Sequence, residues 1–193
     1  VTFLLKLSGA IDRLGIGLGH AVRWLILGSV LISASNAVMR KAFDIGSNAF
    51  LEVQWYLFAA AFLLGAGYTF LRNAHVRIDF LSSRLSERAA AWVDILGIVL
   101  VVLPFAALMI LWSWPLFARA WTSGEMSQNA GGLVLWPARL VIPIGFALLL
   151  LQALSELVKR AAFLRGLLPH PITPEAKPES DPPAGDVRAE AQA

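Results

Sequence analysis

The chain has 193 residues, of which 58% are hydrophobic and only 15% charged, with a formal net charge of +3. Soluble domains carry roughly 45–50% apolar and about 25% charged residues, so this composition excludes an ordinary soluble fold and points to an integral membrane protein. The chain contains no cysteine, which excludes disulfide frameworks, thiolate catalysis and cysteine-ligated metal or iron–sulfur centres.

The first segment, 1–20, places Leu4, Leu7, Ile11, Leu14 and Leu18 at alternating three- and four-residue steps, with Lys6, Asp12 and Arg13 elsewhere on the wheel. That pattern predicts an amphipathic helix lying in the headgroup plane. Gly9, Gly15, Gly17 and Gly19 weaken it, each by up to about 1 kcal/mol relative to alanine. A first span follows over about 22–38, with Arg23 placed to snorkel at its start. Ser35-Asn36-Ala37 has the small residues of a signal-peptide cleavage site, but the region ahead of it is long and glycine-rich. No cleavage is expected there.

A second span covers about 53–71. It is entered by N-A-F-L-E-V-Q-W-Y-L-F from Asn48 and left by His75, Arg77 and Asp79. Glu52 and Gln54 stand at its mouth, just before Trp55 and Tyr56. Two readings fit them: a carboxylate complementing a helix N-terminus, or a surface offered to a partner. Ala61, Gly65 and Thr69 repeat every four residues, a small-residue stripe that suits close helix approach, within this bundle or against another protein. His75, Arg77, Asp79, Arg84 and Arg88 read as cytoplasmic anchors for lipid headgroups. In the same loop Ile78, Leu81, Leu85, Ala89 and Trp92 recur at helical spacing, predicting a helix that leads into the third span.

The third span is expected over about 95–118 and the fourth over about 136–155, the latter closed by Glu156, Lys159 and Arg160. Pro104 and Pro143 kink helices without making a site. From residue 169 to 193 the chain is rich in proline and charge and is expected to form a disordered cytoplasmic tail. Orientation follows from the basic residues. Lys6, Arg13, Arg23, Arg72, Arg77, Arg84, Arg88, Lys159, Arg160 and Arg165 fall on one side, against Arg40, Lys41, Arg119 and Arg139 on the other. Both termini are therefore expected in the cytoplasm.

Little in this inventory supports chemistry. The histidines, His20, His75 and His170, lie outside the apolar runs, where they cannot ligate a transmembrane haem. No cluster has zinc-ligand spacing. The expected spans hold almost no charge, whereas ion-coupled carriers place ionisable groups deep in theirs. Ser29, Ser33, Ser113, Tyr68, Thr69 and Gln152 remain, and such groups bond to their own or neighbouring helices. The seven tryptophans fall mostly near span ends, as interfacial anchors do. No catalytic, cofactor-binding or metal-ligating residue is identified, nucleic acid is not an expected partner, and an enzyme is not expected. The fold class is an all-α integral membrane protein. Its membrane domain, 21–168, has four spans between the interfacial arm and the tail.

N-A-F-L-E-V-Q-W-Y-L-F from Asn48, L-L-G-A-G-Y from Leu63, H-V-R-I-D from His75 and S-Q-N-A-G-G-L from Ser127, followed by Trp136-Pro137, together resemble the small membrane subunit of tripartite ATP-independent periplasmic (TRAP) transporters. The resemblance is strongest to the mannitol/chloroaromatic branch and covers about 24–165. It implies a non-catalytic subunit in the bacterial inner membrane, without cofactors, acting in sodium-coupled symport of an organic acid. The implied partners are a large elevator-type membrane subunit, for which this chain is scaffold, a periplasmic substrate-binding protein and membrane phospholipids. Glu52, Gln54, Trp55, Ala61, Gly65 and Thr69 then become candidate interface or docking residues. A membrane anchor of an unrelated complex, such as a respiratory enzyme, is the alternative from the residues alone.

Overall fold

A computed structural model describes residues 2–72 and 85–170. The described chain is helical: α1 (Thr2–Phe43), α2 (Asn48–Leu71), α3 (Glu87–Gly97), α4 (Leu103–Ser123) and α5 (Trp136–Leu164). A π-helical turn, Ile98–Val102, joins α3 to α4 without a break, so that Glu87–Ser123 is one rod. Four rods are long and apolar enough to cross a bilayer. The π turn has a local cause. Pro104 has no N–H and its ring collides with the carbonyl four residues back, and one widened turn absorbs the misfit.

α1 differs from the expected arm plus span. It is one helix of 42 residues, about 63 Å long at ~1.5 Å per residue, roughly twice the ~30 Å hydrocarbon core. No boundary separates 1–20 from 22–38. Two of the four glycines expected to weaken the arm, Gly15 and Gly19, are where it touches its neighbours, while Gly9 and Gly17 face open space. A Cβ at Gly19 would lie 2.5 Å from the Tyr68 ring, and one at Gly15 would lie 3.3 Å from Gln152 Oε1. Leu4, Leu7 and Leu14 are exposed, while Ser8 is buried. The face turned to the bundle is thus Ser8, Asp12, Gly15 and Gly19; of the apolar stripe, Leu4, Leu7 and Leu14 are exposed, while Ile11 and Leu18 are half-buried beside α2 and α5.

Asp44, in the left-handed conformation at φ 56°, ends α1, and four residues later α2 returns antiparallel to it. α5 is the centre of the molecule, touching α1, α2, α3 and α4. It approaches α2 most closely where both are small. A Cβ at Gly145 would sit 2.7 Å from Leu63 Cβ, and one at Gly67 would sit 3.5 Å from the Leu148 carbonyl. α5 also runs nine residues beyond the expected end of its span. It stops at a Schellman motif, with Gly166 at φ 73° and Leu167 N–H donating to the Ala162 carbonyl at 3.0 Å.

Because Gly15 already meets Leu71 at the end of α2, the first two turns or so of α1 project past α2. The last turns of α5 lie beside them, and α3 packs against α5. Elsewhere the surface is apolar, with Trp24, Phe62, Leu100 and Trp112 each at least 68% exposed, as side chains facing lipid are.

Candidate functional site: two polar locks at opposite ends of the bundle

At the α2 N-terminus the sequence places N-A-F-L-E beside S-Q-N-A-G-G-L, although they are more than seventy residues apart. Glu52 is the hub. Its Oε1 accepts from the Ser127 hydroxyl and from Asn129 Nδ2 at 2.8 Å, and its Oε2 accepts from Leu133 N–H at 2.7 Å. Asn48 Nδ2 donates to the Ala130 carbonyl at 2.9 Å, and Tyr56 Oη donates to the Val134 carbonyl at 3.1 Å. Asn48, Glu52 and Tyr56 are spaced by four and so share one face of α2. That face grips the α4–α5 loop from 127 to 134.

The loop is built to be held. Gly132 N–H closes a turn onto the Asn129 carbonyl at 2.9 Å, with Gly131 at φ 70° in the position where such a turn requires positive φ. Met126 and Val134 pair as an isolated bridge. Arg139, one turn into α5, makes a two-pronged contact with Glu125 at 2.6 and 2.7 Å, a geometry that suits guanidinium and carboxylate planes.

The opposite end carries a denser cluster. Asp12 of α1 accepts from Gln152 Nε2, Ser155 Oγ and Lys159 Nζ, each at 2.9 Å. Ser8 and Ser155 hydroxyls meet at 2.6 Å. Glu156 pairs with both Lys159 and Arg160. Arg160 Nε also donates to Asp94 of α3 at 3.0 Å. Gln152, Ser155, Glu156, Lys159 and Arg160 follow helical spacing along one face of α5, and each is at most 7% exposed. Lys159 and Arg160 thus differ from the headgroup anchors read from the sequence. They are buried against carboxylates because α5 continues past the expected span and α1 and α3 cover it. Charges in such surroundings persist only when paired and hydrogen-bonded.

The predicted site residues divide accordingly. Glu52 belongs to the first lock. The Gln54 carbonyl accepts from Ser29 Oγ at 3.3 Å, tying α2 to α1. Trp55 is 73% exposed and heads an outward stripe with Phe58 and Phe62. Ala61 is buried, a Cβ at Gly65 would lie 3.6 Å from Val22 of α1, and Thr69 Oγ1 donates to the Gly65 carbonyl at 3.1 Å. Arg88 is exposed in the first turn of α3. His75, Arg77, Asp79 and Arg84 lie outside the described residues, as do Ile78 and Leu81 of the expected loop helix and the tail from 171. Among the described residues, no cluster of three or more His, Asp or Glu side chains could hold a metal.

Sequence reasoning missed Asp12, Asp94 and the α5 ladder as a unit. One signal was present: polar residues at 152, 155, 156, 159 and 160 keep helical periodicity, the mark of a face turned away from lipid.

Over residues 29–163 the chain matches the family described as "Tripartite ATP-independent periplasmic transporters, DctQ component". The match spans well over half its length, and the chain belongs to that family. It is therefore the small component of a TRAP transporter, a multi-pass membrane protein and not an enzyme. Such components work with a large membrane subunit and a binding protein, which displaces the unrelated-anchor alternative. No curated protein and no solved structure matches the chain.

Proposed function

We propose that this small TRAP component is a non-catalytic scaffold for the large subunit of a sodium-coupled importer of an organic acid. It sits in the bacterial inner membrane with both termini in the cytoplasm. The observation that supports this reading is the use made of the buried charges. Asp12, Glu156, Lys159 and Arg160 are paired across helices of the same chain, and Glu52 is occupied by the chain's own loop. Groups committed in this way fix helix positions rather than bind and release an ion, which a transport site requires.

In this scheme the Glu52-held loop faces the periplasm and presents a shaped surface to the binding protein. Glu52 acts through the loop it orders. The exposed stripe Trp55, Phe58 and Phe62 contributes an aromatic face for the large subunit. The outward leucines of α1 rest in lipid, and the Asp12 end lies at the cytoplasmic headgroups, near the proposed anchors His75, Arg77, Asp79, Arg84 and Arg88. The role does not depend on the branch; the mannitol/chloroaromatic assignment rests on the residue resemblance alone.

Reconstitution tests the proposal. Liposomes holding this chain alone take up no organic acid under a sodium gradient. Uptake appears when the large subunit and the binding protein are added, and is lower when this chain is left out. Sodium-driven uptake by the chain alone overturns the scaffold role.

A further inference from the structure

At the end of the bundle that carries Glu52, a groove of about 380 Å³ opens between the last turns of α1 and the start of α2, lined by Ser33, Asn36, Ala37, Arg40, Lys41 and Leu51. That volume falls within the roughly 300–1,000 Å³ usual for small-molecule sites. Asn36 is only 7% exposed, and among the described residues its amide makes no hydrogen bond. None of its polar atoms is sealed from the groove without a partner. An amide carries two donors and an acceptor, and a buried one left without partners is unfavourable. Its polar atoms therefore open into the groove.

The groove is also cationic. Neither Arg40 nor Lys41 enters any ion pair among the described residues. The nearby carboxylate of Glu52 is occupied by Ser127, Asn129 and Leu133, and Asp44 in the α1–α2 connection pairs with neither cation. The Arg40 stem packs over Gly46, where a Cβ would lie 3.4 Å from its Cδ. Two cations with no ion-pair partner among the described residues at the lip, and an amide open to the groove below them, form a donor set for a phosphate ester.

We propose that this groove binds one glycerophospholipid, with Arg40 and Lys41 on the phosphodiester and Asn36 on the ester region beneath it. A lipid is favoured over a free anion by the apolar side of the groove. Ala37 and Leu51 line it, and Trp55, one turn below Leu51, is 73% exposed. An acyl chain leaving the groove would lie along these side chains. The site rests on the membrane-spanning fold and not on the scaffold role.

Native mass spectrometry of the full chain, released from detergent after titration with phosphatidylglycerol, diacylglycerol or inorganic phosphate, tests the proposal. The expected result is a one-to-one phosphatidylglycerol adduct, none with diacylglycerol, and no displacement by phosphate. In Arg40→Ala/Lys41→Ala, adduct retention falls about tenfold or more, the loss expected from removing two charge-assisted contacts. Asn36→Leu gives a smaller loss. Arg23→Ala, which removes an exposed cation on the same helix outside the groove, retains the adduct. The double variant changes exposed side chains only, so it reads out binding even where Asn36→Leu fails to fold. Equal retention in wild type and the double variant overturns the proposal, including in favour of a partner protein's carboxylate as the true counter-ion. Displacement by inorganic phosphate overturns it in favour of a free-anion site.

Discussion

The two ends of this bundle solve the same problem, holding antiparallel helices in register, with different chemistry. At one end a single carboxylate, Glu52, gathers two neutral side-chain donors and a backbone N–H from a glycine-containing loop. At the other, Asp12, Asp94, Glu156, Lys159 and Arg160 tie three helices together with ion pairs. The first lock is open to its surroundings and holds a loop. The second is largely buried and holds helices directly. The difference teaches that the deeper the polar group, the more complete its pairing must be, because an isolated buried charge is far more unfavourable than an exposed one.

Breaking the buried lock has the largest expected effect. Arg160→Met removes the cation from both Glu156 and Asp94 and is expected to destabilise the detergent-solubilised chain by about 3–5 kcal/mol in denaturant unfolding. Adding Glu156→Gln recovers part of that loss. A single-variant effect below about 1 kcal/mol would place the two ends on an equal footing.

Between the locks, the packing seam is tested by Gly145→Ala. Its new Cβ would meet the Leu63 side chain and carbonyl at 2.7 and 3.0 Å, so a loss of about 1–3 kcal/mol is expected from forcing α5 off α2. Gly65→Ala, whose Cβ would reach Val22 at an ordinary 3.6 Å, is expected to be neutral or slightly stabilising, since alanine favours helix by up to about 1 kcal/mol. The same unfolding measurement decides both. Equal losses would return the weight to the small-residue stripe.

Glu52→Ala sharpens the contrast from the other side. Hydrogen exchange at the Leu133 amide, which donates to Glu52 at 2.7 Å, is expected to speed up, together with its loop neighbours. The unfolding transition should move less than for Arg160→Met. Unchanged exchange at Leu133 would mean that the loop holds itself. Arg139→Gln is expected to cost the least of the changes at the two ends: its pair with Glu125 is 27% and 38% exposed, and such pairs contribute about 1 kcal/mol or less.

Much of this was legible beforehand. Asn48 and Glu52 were conspicuous as polar groups at the mouth of an apolar run, and with S-Q-N-A-G-G-L they carried part of the family resemblance. That Glu52 binds the loop was not legible, because no spacing rule links positions more than seventy residues apart. At the other end the expected span boundary near Ser155 hid the ladder. Where charge begins to appear the span was expected to close, whereas the helix continues and turns its polar face to α1 and α3. Likewise the arm's leucine stripe was visible, but two of the glycines read as weaknesses, Gly15 and Gly19, proved to be contact points.

The sequence by itself determined the membrane class, the four apolar rods and their order, since these follow from local composition and from periodicity that each segment carries alone. Only the tertiary structure decided which polar groups meet. Ser8 finds Ser155 across 147 residues, and Asp94 finds Arg160 across 66. Such pairings depend on how far each helix extends and which face it turns to its neighbour. Those quantities are set by close packing at Gly19, Gly67 and Gly145 and by the need to neutralise buried charge, and no single segment encodes them.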